Sequence, residues 1–193
     1  LLILGFSFLF FSSYFQRIFM NALNIIGTVL ILISFIVIGH SLSQGIYTQI
    51  LLFIHLFCIS YWLGSFFPLR HMCNIENYEN LYLVAHNFGV YATFYLGLLI
   101  ITGLTYSYFL LGGILPIITS TYGNVLLCKL LLVSFILMIG AINKLRIVPS
   151  IKANLTLGQS KLKRSINIEF ICTWLILFLT SILTTSLPTP MGM

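Results

Sequence analysis

Few residues in this chain can do chemistry, and most of those are soft donors. His55, Cys58 and Trp62 stand at i, i+3 and i+7, a spacing that puts all three on one helical face. An imidazole and a thiol one turn apart suit a soft metal such as Cu(I) or Zn(II). The same pair also suits a histidine bonded to a neighbouring helix, beside a cysteine packed as a small hydrophobe. Arg70-His71-Met72-Cys73 sets three soft or borderline donors side by side, with His86 further along. Neighbours of this kind can chelate at an interface or serve as ordinary loop residues. A third group joins His40 to Met191-Gly192-Met193. Met-x-Met beside a histidine makes a weak thioether site for Cu(I), and the same residues also fit a plain terminal tail.

The elements that must position these side chains are membrane helices. The chain has 193 residues, 60% hydrophobic and 6% charged, with a mean hydropathy of +1.10. A soluble domain is about one quarter charged, and disorder needs little apolar material and much charge. Both classes are excluded. Six long apolar stretches, at about 1–15, 22–39, 46–67, 82–111, 123–142 and 166–187, read as helices rather than alternating barrel strands. The expected fold is an all-α, polytopic transmembrane helix bundle of about six spans, with residues 1–193 forming a single domain. The first stretch opens abruptly at Leu1, without a basic flank or a small-residue cleavage site. It is expected to be a helix whose beginning precedes the sequence, not a signal peptide. At about 1.5 Å per residue from Ile46, His55 lies about 13 Å and Cys58 about 18 Å from the outer end of its span.

Orientation follows from the basic residues. Arg17, Arg70, Lys144, Arg146, Lys152, Lys161, Lys163 and Arg164 fall in loops that share one side, and the other two loops hold no Lys or Arg. The positive-inside rule makes the basic side cytoplasmic and puts both termini outside. The ninth basic residue, Lys129, is about 9 Å from the outer end of span five, within reach of the head groups and of the bundle interior alike. Charges flanking membrane helices meet the lipid bilayer, so nucleic acid is not an expected partner. Cys58, Cys73, Cys128 and Cys172 suggest no disulfide framework. None of the 14 glycines is spaced four from another, so the usual helix-dimer signal is missing. There is no phosphate-binding loop and no hydrolase motif. No enzymatic activity is expected.

Span four carries Asn87, Tyr91, Tyr95 and Thr102 on one stripe; span five carries Lys129, Gly140 and Asn143; span six carries Glu169, Cys172, Thr180 and Thr184. Such stripes fit a partly hydrophilic interior, or plain interhelical hydrogen bonding at about 0.6 kcal/mol per contact. Glu169 suits a helix N-terminus or a pairing with Arg164 or Lys144.

With these residues in view, the chain resembles the copper resistance protein D family. Four segments carry the likeness in matching order. They are Ile54-His55-Leu56 running to Trp62-Leu63-Gly64, then Thr121-Tyr122-Gly123 with Leu126-Leu127-Cys128-Lys129-Leu130. Asn143-Lys144-Leu145-Arg146 with Val148-Pro149 follows, and Leu162-Lys163-Arg164-Ser165 with Glu169, ending at Leu187-Pro188-Thr189-Pro190. The resemblance implies an inner-membrane protein of copper tolerance or uptake, with His55, Trp62, Lys129, Asn143, Arg164 and Glu169 at the family's motif positions. Copper ions, the bilayer, a periplasmic copper carrier and other membrane subunits are the expected partners. The expected copper path starts at His40, Met191 and Met193, passes His55 and Cys58, and leaves near His71, Met72, Cys73 and His86. Two alternatives stand beside it. One is a haem b cytochrome-like protein, which needs paired histidines at one depth; the pairs on offer are His40 with His55, and His71 with His86. The other is an accessory subunit of a larger membrane complex.

Sidedness is directly measurable. A reporter active only in the cytoplasm should work when fused at Gly158 and fail at Gly113 and Met193; the reverse pattern would invert the orientation.

Overall fold

Inside hydrocarbon each backbone N–H and C=O must find its partner within the protein, which an uninterrupted apolar segment achieves by coiling into a helix. A computed structural model describes residues 1–37, 45–74, 78–188 and 190, so His40, Met191 and Met193 lie outside the described residues. The elements are α1 (Leu2–Ser12), α2 (Arg17–Ile36), α3 (Ile46–Met72), α4 (Tyr78–Leu111), the short α5 (Pro116–Thr119) and α6 (Thr121–Ile142). A π-helical turn (Asn143–Ile147), α7 (Val148–Ala153) and α8 (Leu155–Thr185) complete the chain. Among the described residues no strand occurs, and five segments are long and apolar enough to cross a membrane: Arg17–Ile36, Ile46–Met72, Glu79–Leu111, Thr121–Ala153 and Leu155–Thr185. The remaining apolar stretch is realised as α1, whose 11 residues rise about 16 Å against a hydrocarbon layer of about 30 Å.

Several helices overrun the limits that hydropathy suggests. Helix α3 continues through Pro68 to Met72 rather than stopping near residue 67. Helix α8 begins at Leu155, not near 166, so Lys161, Lys163 and Arg164 ride on its early turns instead of a loop. The Asn154 side chain accepts from the Leu157 N–H at 3.4 Å and so starts this helix, a capping role that apolar content cannot signal. Between α6 and α7 the helix widens. The Val148 N–H bonds to the Asn143 carbonyl five residues back, just ahead of Pro149, which has no N–H to give to Leu145 and crowds that carbonyl.

Helix α1 folds back on α2, α3 pairs with α4, α6 and α7 pack on α8, and α7 also meets α4. One apolar cluster, with Phe66, Leu69, Leu81, Val148, Ile151 and Leu162, joins the C-terminal end of α3, the start of α4, α7 and the start of α8. A second, with Leu110, Leu111, Tyr122, Leu126 and Leu183, closes the opposite end. The loop after α3 and the whole stretch from the π-turn into α8 therefore share one end of the bundle. There Lys163 Nζ donates to Asn74 Oδ1 at 2.7 Å, and Lys152 Nζ sits 4.2 Å over the Tyr82 ring.

The α1–α2 contact rests on two glycines from different helices, which a search within either helix cannot pair. A Cβ added at Gly27 would lie 2.8 Å from the Gly5 carbonyl oxygen and 3.1 Å from Leu9 Cγ. Gly27→Leu should therefore lower the thermal unfolding midpoint in detergent, by the equivalent of about 1–3 kcal/mol of overpacking. Gly64→Ala, where an added Cβ meets nothing within 4 Å, should leave the midpoint unchanged or raise it.

Candidate metal site and intramembrane polar cluster

His55 lies on α3 and its ring packs against α4 at Gly103. A Cβ there would stand 2.8 Å from His55 Cε1, so only a glycine leaves room for the imidazole. His55 Nδ1 is 3.2 Å from the Leu99 carbonyl oxygen and 3.4 Å from Thr102 Oγ1. A carbonyl only accepts, so Nδ1 is the N–H donor and Nε2 keeps a free lone pair. The Thr102 hydroxyl donates to the Leu98 carbonyl at 2.8 Å, which leaves its oxygen as a second acceptor facing the ring. Cys58, one turn along the same helix, is 1% exposed. Among the described residues no group of three or more His, Cys, Asp or Glu side chains comes together.

Trp62 belongs to a different neighbourhood. It lines a cavity of about 460 Å³ bounded by α3, α4, α6, the π-turn and α8, along with Asn143, Lys144 and Glu169. Glu169 is 4% exposed and accepts at Oε1 from Asn143 Nδ2. Neither expected partner, Arg164 nor Lys144, pairs with it. Arg164 stands five residues before Glu169, about 140° away around the helix, and is exposed. Lys144 turns to α4, where its Nζ donates to Thr93 Oγ1 at 2.6 Å. Asn143 Oδ1 is buried and has no hydrogen-bond partner among the described residues.

The inner donors do not assemble. His71 is exposed, Met72 half-buried and Cys73 buried among the apolar residues of the cluster at this end. Burial pushes the Cys73 thiol up to about 11, with Lys163 pulling the other way, so it stays protonated at neutral pH. His86 is exposed and stacks on Tyr82, with ring centroids 5.6 Å apart. The reason is geometric: successive residues on a helix point about 100° apart, and α3 carries His71 and Met72 where a loop was expected. All four cysteines are free thiols.

The family model for copper resistance protein D matches residues 83–183, more than half of the chain. The chain belongs to the copper resistance protein D family. Membership makes it a multi-pass membrane protein of copper resistance or uptake. The match runs from α4 into α8 and takes in Lys129, Asn143, Arg164 and Glu169, while His55, Cys58 and Trp62 on α3 precede it. No curated protein and no solved structure matches the chain. Gly103, Thr93 and the Leu99 carbonyl are the participants that residue spacing missed. Gly103 alone left a trace, since a glycine within a helix costs about 1 kcal/mol relative to alanine and calls for a reason.

The Cys73 thiol gives a direct test of this packing. In a variant keeping only Cys73, maleimide labelling at pH 7.5 should run about 100-fold slower in the native protein than after denaturation. The native rate should rise about tenfold per pH unit, because thiolate is scarce far below about 11 and the thiolate is the nucleophile.

Proposed function

We propose that this family member binds copper within the membrane as cargo and takes part in moving it across the cytoplasmic membrane. His55 is the central donor. The observation that carries this reading is the hydrogen bond from His55 Nδ1 to the Leu99 carbonyl, because a ring held through one nitrogen offers the other to a metal in a set orientation. Cys58 supplies a soft donor from the same helical face, a pairing suited to Cu(I). A site with few protein donors suits an ion that must leave again, since passage requires binding that is favourable but weak. The end of the bundle that carries Arg70, Lys144, Lys152 and Lys163 faces the cytoplasm by the positive-inside rule. Copper then enters at the opposite face, near His40, Met191 and Met193, and departs past Met72, His71 and His86. A periplasmic carrier or another membrane subunit delivers or receives it. With no nucleotide-binding loop in the sequence, movement is downhill or driven by such a partner.

Two substitutions at one position separate ligand from scaffold. Asparagine places an amide N–H close to where Nδ1 stands but has nothing at Nε2. His55→Asn should keep the thermal midpoint near that of the parent protein and lose most of the copper bound per purified chain. His55→Ala should lose the copper as well, and stability in addition, as it leaves the Leu99–Thr102 side of the contact without its partner. Full copper stoichiometry in His55→Asn would overturn the assignment.

A further inference from the structure

The cavity around Glu169 shares no residue with the His55 contact, and the copper path has no use for it. Its polar end holds two acceptors with capacity to spare, while Lys144 Nζ is turned to Thr93 Oγ1. Asn143 Oδ1 is buried without a partner among the described residues, and Glu169 has committed one oxygen to Asn143 Nδ2 while the other can accept a further bond. A buried acceptor with no donor is costly and rare, so a molecule that brings a donor would be favoured here. Apart from Thr93 and Lys144, the remaining walls are apolar and partly aromatic, with Trp62, Phe66 and Phe88. The volume of about 460 Å³ falls in the range of small-molecule sites, about 300–1,000 Å³.

On the α4 and α6 sides the lining is small, with Ala92, Gly97, Gly140 and Ala141, and an added Cβ at Gly97 or Gly140 would meet nothing within 4 Å, so a route from the bilayer between these helices is the least obstructed. This part of both helices lies within membrane-spanning segments. A molecule arriving by this route crosses hydrocarbon, where a charged ammonium is penalised and a hydroxyl on an apolar body is tolerated. We propose that this crevice is a binding site for a membrane-soluble hydroxylated aromatic molecule of the phenol or quinol class. Its ring lies between Trp62 and α4, and its hydroxyl donates to Asn143 Oδ1 or Glu169. Donor-bearing reduced rings are therefore preferred over quinones, which only accept.

The chain has two tryptophans, Trp62 in the cavity and Trp174 exposed on α8. Trp174→Phe leaves Trp62 as the sole reporter, and Trp62→Phe leaves Trp174 as a monitor of quenching from the bilayer at large. Both proteins, full-length in phosphatidylcholine nanodiscs, are titrated with decylubiquinol and with decylubiquinone. The expected result is saturable quenching of Trp62 alone, with the quinol binding about tenfold more tightly than the quinone. Gly97→Leu, which fills the entrance from an uncrowded position, should abolish that saturation without lowering the thermal midpoint. Asn143→Leu should erase the quinol preference. Equal quenching of the two tryptophans would overturn the proposal and indicate only lipid in the crevice. Equal affinity for quinol and quinone, or unchanged binding in Gly97→Leu, would overturn it as well. Because the readout involves no copper, it stands or falls apart from the His55 experiment.

Discussion

Hydrocarbon offers no hydrogen-bond partner, and most features of this protein follow from that. The backbone meets the demand by coiling, so all the described secondary structure is helical. Polar side chains meet it by reaching across to another element. His55 on α3 finds the Leu99 carbonyl on α4. Asn143 of the π-turn finds Glu169 on α8, and Lys144 finds Thr93 on α4. Interhelical bonds of this kind contribute about 0.6 kcal/mol each, too little to hold a bundle together. Close packing supplies most of the cohesion. The polar contacts instead select which rotation of each helix is allowed, because any other leaves a buried group without a partner.

The π-turn divides two adjacent residues between two tasks. In a regular helix Asn143 and Lys144 would point about 100° apart, and the widened turn before Pro149 sends one to α8 and the other to α4. Both residues also line the cavity. The irregularity and the polar end of the cavity thus have one origin, a proline that cannot continue the α-helical ladder. Glycines play the matching role in packing. Gly103 admits the His55 ring, Gly5 and Gly27 admit each other's backbones, and Gly97 and Gly140 leave the crevice open.

Intramembrane polar residues were legible in advance because the bilayer makes them expensive. His55, Asn143 and Glu169 stand out in the sequence on that basis, and all three engage a neighbouring element. Their partners were harder to read. Trp62 shares a face with His55 by spacing, yet seven residues of helix put it about 10 Å further along, and it lines the other site. His71 and Met72 are consecutive on α3 and for that reason diverge in space, and Cys73 follows at the helix end, buried in the apolar cluster. Glu169 looked ready for a cation from Lys144 or Arg164 and took an amide instead.

From the sequence alone came the membrane class, the positions of the long helices, the family and the concentration of basic residues at one end. Each of these depends on a helix considered singly against the bilayer, on apolar length, flanking charge or motif order. Only the tertiary structure decided how far the helices overrun the apolar limits, which histidine nitrogen is held, and that Asn143 and Glu169 share a cavity with Trp62. Those outcomes depend on the rotation and register of helices relative to one another. Side-chain volume at positions such as Gly103 and Gly27 sets that register, and no periodicity within a single helix contains it.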